Sequence, residues 1–110
     1  MSVALMIDNP INEKEEYLYV PIAAEHTFEK YWQTAAKQLE LEWVPFFQSG
    51  IVIGWERESV IIEELEKIKN WFLINVSDQA RLTSLLERVV NVIHAVKKVF
   101  KDKEIRIFIG

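Results

Sequence analysis

The sequence predicts an α+β fold: an open, mainly antiparallel sheet of four or five strands with helices packed on one face, ferredoxin-like or a related sandwich. Three observations predict it. Apolar residues alternate with period 2 in short runs and recur at i, i+3, i+4, i+7 in longer ones, so the chain holds both strands and helices. The runs follow the order β, β, α, β, β, α, α, β. Without its first strand this is βαββαβ, with the second helical layer broken in two. The 110 residues are 50% hydrophobic and 27% charged, enough for one real core, and they read as a single domain over residues 1–110.

The first strand covers residues 3–7. Residues 8–16 read as a loop, because Asn9-Pro10 favours a turn and Glu13, Glu15 and Glu16 repel one another. Residues 17–23 are rich in β-branched and aromatic side chains and form the second strand. Leu18, Val20 and Ile22 share one face; Tyr17, Tyr19 and Pro21 share the other. Pro21 has no N–H for a ladder, which places it at an edge, a bulge or the strand end.

Thr27 is the expected N-cap of the first helix, whose buried stripe is Phe28, Tyr31, Trp32, Ala35, Ala36 and Leu39. Residues 42–56 hold two apolar runs separated by Gln48-Ser49-Gly50. That pattern predicts a β-hairpin in which Gly50 takes a positive φ and Pro45 marks an edge or a bulge. Val60, Ile61, Leu65, Ile68, Trp71 and Phe72 recur at helical spacing, with Ser59 near the start. Residues 75–78 interrupt, and Ser77 or Asp78 caps the last helix. That helix carries the most regular stripe of the chain: Leu82, Leu85, Leu86, Val89, Ile93, Val96, Val99 and Phe100. Lys97, Lys98, Lys101 and Lys103 gather at its C-terminal end, where the helix dipole favours cations. Ile105, Ile107 and Ile109 then alternate with polar or aromatic residues in a half-buried closing strand.

With helices on one face only, the other face of the sheet carries Tyr17, Tyr19, Pro21, Arg106 and Phe108, joined by one side of the hairpin. It is too aromatic to be simply wet, so either the N-terminal segment folds over it or a partner or second copy covers it. The charge is uneven. Residues 1–66 hold 13 acidic and 4 basic side chains; residues 67–110 hold 4 acidic and 9 basic. Glu40 and Glu42 enter the hairpin and Glu56 and Glu58 leave it, so these four carboxylates are expected together at one end of the sheet. Such a field would speed encounter with a basic protein.

Known chemistries find little support. There is no Cys, hence no disulfide, thiol nucleophile or thiolate zinc site. His26 and His94 stand alone, and neither a metal nor another cofactor is expected. Three glycines leave no phosphate-cradling loop, and no nucleophile–base constellation occurs, so no enzyme activity is expected. A formal charge of −4 and a pI near 5.2 argue against nucleic acid as the partner. No apolar run approaches the ~18 residues of a membrane span, and residues 1–8 lack the basic start of a signal peptide. A cytoplasmic protein without membrane contact is the expectation.

Three stretches carry a resemblance: Gln48-Ser49-Gly50-Ile51-Val52-Ile53, Ile62-Glu63-Glu64-Leu65 and Ile107-Phe108-Ile109-Gly110. With the acidic α+β character they resemble the small bacterial toxin-immunity proteins of contact-dependent and polymorphic toxin systems. The last helix and strand also resemble the end of barstar, although the preceding element order does not. The resemblance implies a protein that binds a cognate toxin and covers its active site; such toxins are often basic nucleases, whose phosphate sites carboxylates mimic. No family site residue carries over. From this sequence, Glu40, Glu42, Glu56 and Glu58 are the residues expected to steer a partner, and Tyr19, Trp43 and Phe47 the anchors. Two alternatives stand beside this one. One is a homo-oligomeric structural or regulatory domain, such as a homodimer through the aromatic face. The other is a small-molecule-binding domain with a pocket lined by Trp32, Trp55 and Trp71.

Overall fold

In the structure, a computed structural model that describes residues 2–110, the N-terminal strand lies inside the sheet rather than beside it. Strand β1 (Ser2–Asp8) pairs antiparallel with β2 (Val20–Ala24) on one side and with β4 (Arg106–Ile109) on the other. β4 in turn pairs antiparallel with β3 (Ile51–Ile53), giving the order β2-β1-β4-β3. This is an open four-stranded antiparallel sheet with helices packed against it, the expected α+β class. The edge strand β2 is bulged. Val3 faces Ala23 and Ala4 faces Pro21, so Ile22 is the extra residue, next to the proline that cannot donate to the ladder.

Register decides which side chains go inward. Leu5 lies opposite Ile109 and Ile7 opposite Ile107, while Ile51 and Ile53 meet the same two isoleucines from the other edge. Leu5, Ile53, Ile107 and Ile109 are buried in the one core that the helices share.

Residues 25–38 form one continuous helical stretch: α2 (Glu25–Thr27), a π-helical segment (Phe28–Gln33) and α3 (Thr34–Gln38). Phe28, Trp32, Ala35 and Ala36 are buried as the stripe predicts. Thr27 is not the cap; the helix starts earlier, behind Ala24, with no side-chain cap bond. In the π segment the turn closes on i+5, which brings residues four apart nearly into line. The Phe28 and Trp32 rings accordingly stack, 5.9 Å apart and 13° from parallel, and the Trp32 ring meets Phe72 edge-on at 5.6 Å.

Two further helices complete the layer: α4 (Glu58–Asn75) and α5 (Gln79–Val99). Asp78 is the α5 cap, its carboxylate accepting from the Ala80 N–H at 3.3 Å. α5 buries Leu85, Val89, Ile93, Val96 and Val99, with Val92 in addition to the stripe. The segment expected to be a plain loop carries a short helix, α1 (Glu13–Glu16). Asn12 caps it by accepting from the Glu15 N–H at 2.8 Å, and the Glu15 carboxylate reaches back to the Ile11 N–H at 3.3 Å. That reciprocal pair outweighs the repulsion within the glutamate run.

The hairpin is overturned. Residues 42–47 form no strand; Val44–Phe46 is a 3-10 helix with Pro45 in its first turn, and β3 pairs only with β4. The cause is a carboxylate about twenty residues away. Glu64, on α4 and 5% exposed, accepts from the backbone N–H groups of Glu42 (3.1 Å), Trp43 (3.1 Å) and Val44 (3.0 Å). Donors that a strand ladder would have used are satisfied by one side chain, and Glu40 turns the chain with φ +53°.

Candidate functional site

The face of the sheet away from the helices is made by the residues between the inward ones. Met6 lies opposite Phe108, which lies opposite Val52, so one apolar row crosses β1, β4 and β3. The next row toward the strand ends is small. Ala4 exchanges two backbone hydrogen bonds of 3.1 Å with Gly110, and Gly50 stands beside Gly110. The Phe108 ring lies across this notch. A Cβ built on Gly110 would be 2.6 Å from its Cζ, and one on Gly50 would be 3.4 Å from the ring. Two missing side chains therefore let one aromatic ring lie down on the sheet. Asp8 opposite Arg106 closes the row at the other end. Met6 and Phe108 are half-buried, and Val52, Pro21 and Arg106 are exposed.

This placement answers part of the sequence reading. Pro21, Arg106 and Phe108 lie on the uncovered face. Tyr17 and Tyr19 precede β2 and are exposed outside the sheet. The N-terminal strand does not fold over the face, because its backbone is paired on both edges. Met6 and Val52 belong to the face and are absent from the sequence reading. Both lay hidden in uniformly apolar runs, residues 3–7 and Ile51–Ile53, where period 2 cannot tell one face from the other.

The expected anchors fare differently. Tyr19 is exposed and free to touch another molecule. Phe47 is 0% exposed, inside the core, and is corrected from anchor to structural residue. Trp43 is half-buried and lies beneath Arg57, whose guanidinium carbon is 4.6 Å from the ring centroid. That contact, rather than a hairpin, brings the segment after Glu40 and Glu42 against the segment holding Glu56 and Glu58. Glu40, Glu42 and Glu56 are exposed and Glu58 is half-buried, with the positive Arg57 seated among them. A second cation, Lys103, stands 4.6 Å from the ring centroid of Trp55, which is 43% exposed at the end of β3.

The three tryptophans expected to line a pocket have separate roles: Trp32 is core and meets Phe72, Trp71 meets the same Phe72 and donates its indole N–H to the Gln38 side chain at 3.0 Å, and Trp55 sits under Lys103. His26 and His94 are exposed. Among the described residues no group of three His, Asp or Glu side chains is placed to hold a metal ion, and no helix is long and apolar enough to cross a membrane. No protein-family model matches the chain, and neither does any curated protein or solved structure.

Proposed function

We propose that this chain is a non-catalytic binding domain of the immunity type, acting in the cytoplasm to neutralise a basic, nuclease-type protein toxin by covering its active site. One observation carries the reading. The sheet presents a flat apolar row, Met6, Phe108 and Val52, that no helix covers. A row of this kind, carrying an aromatic plate and bordered by Arg106 and exposed Pro21, is the surface that a protein partner desolvates on docking. The exposed carboxylates of Glu40, Glu42 and Glu56 support a basic partner, since they add a negative field that accelerates encounter without having to be buried.

The test starts from the gene beside this one, which on this reading encodes a large toxin. Its toxic domain should bind this chain and lose activity on binding. Phe108→Ala should weaken the complex by about 2 kcal/mol, roughly thirtyfold, if the ring is a central anchor. Met6→Asp should abolish it. Binding that neither substitution alters would remove the sheet face from the interface. A concentration-independent dimer by light scattering, lost in Met6→Asp, would instead assign the face to a second copy of the chain.

A further inference from the structure

The lysines at the end of α5 have no part in the sheet face, yet they border a broad groove. α5 stops at Val99, and beyond its end Ile7 of β1 and Ile105, just before β4, are only half-buried. The chain through α1 walls the far side with Leu18. The result is a groove of about 490 Å³ floored by Ile7, Leu18, Val99 and Ile105. A smaller hollow of about 350 Å³ continues from it around the end of β1 and shares Ile7 and Ile105. Volumes of this order suit a small molecule.

On the rim three lysines outnumber two carboxylates. Lys14, Lys98 and Lys101 line it together with Glu15 and Asp102. Both carboxylates are already engaged. Glu15 accepts from the Ile11 N–H and the Asn12 amide, each at 3.3 Å, and Asp102 accepts from the Glu104 N–H at 3.0 Å. Among the described residues none of the three lysines forms an ion pair.

The chemistry of the floor narrows the occupant. Its four side chains are all aliphatic, so a nucleobase has no ring to stack on. We infer that the groove binds an alkyl carboxylate, its chain on Ile7, Leu18 and Ile105 and its head group on Lys98 and Lys101. This inference concerns the opposite side of the sheet from the docking face and does not rest on the toxin reading.

Titration with decanoate below its micelle concentration tests it, read by calorimetry and by backbone NMR shifts. Saturable one-to-one binding is expected, with the shifts centred on Ile7, Leu18 and Ile105. Decanol should bind about tenfold more weakly, because the charge-assisted contact to the lysines is lost. The exposed pair Lys98→Gln and Lys101→Gln should lower decanoate to the level of decanol at an unchanged melting temperature. Failure to saturate, equal binding of decanol, or shifts centred on Met6 and Phe108 would overturn the assignment.

Discussion

A carboxylate in a protein interior without a cationic partner is stable only if hydrogen-bond donors replace the water it has lost. Glu64 meets that condition with three consecutive backbone N–H groups, those of Glu42, Trp43 and Val44. In sequence it is indistinguishable from Glu63 and Glu66, which form ordinary surface pairs with Lys67 at 3.2 Å and Lys69 at 3.8 Å. Glu64→Gln keeps the size but offers one acceptor and turns an amide NH₂ toward donors. It should destabilise the fold by about 2–3 kcal/mol in chemical denaturation, whereas Glu63→Gln should change it by about 0.5 kcal/mol or less. Phe47 makes a parallel case. An aromatic in a polar-flanked run reads as an anchor, but at 0% exposure it is core. Phe47→Ala should cost about 3–5 kcal/mol of stability, seen as a fall in melting temperature rather than as a weakened contact in a protein that still folds.

Helix α5 was legible almost to the residue, because a long amphipathic pattern with a capping aspartate constrains both its face and its start. Asp78→Ala removes the bond to the Ala80 N–H and should cost about 1 kcal/mol, measurable as a shift in the urea midpoint at constant m-value. The segment from Glu42 to Phe47 was misread for the opposite reason. It is short and apolar on both faces, so period 2 could not distinguish a strand from a turn of 3-10 helix. Its conformation depends on a partner some twenty residues away in sequence, a long-range contact that no local pattern records. Gly50 was read correctly within that wrong element. It takes φ +103° whether the chain turns into a hairpin or out of a helix, and Gly50→Ala should destabilise by about 1–2 kcal/mol.

At the scale of the molecule, the arrangement that matters is an antiparallel sheet with helices on one side and an apolar row on the other. If Glu40, Glu42, Glu56 and Glu58 steer a basic partner, their joint replacement by Gln should slow association and flatten its salt dependence, leaving dissociation nearly unchanged. Stopped-flow rates at two ionic strengths would check this; an unaltered on-rate would relieve these residues of the role. Arg57 among them predicts a milder field than four bare carboxylates would make. The amino-acid order alone dictated the α+β class, the long helices with their buried stripes and the inward isoleucines of β4, since hydrophobic periodicity is a local property of the chain. Which strands became neighbours, where the N-terminal strand went, and which carboxylate turned from solvent to hold the backbone were settled by folding. These depend on pairings between residues far apart in the chain, where the free energy belongs to the contact and neither partner shows it alone.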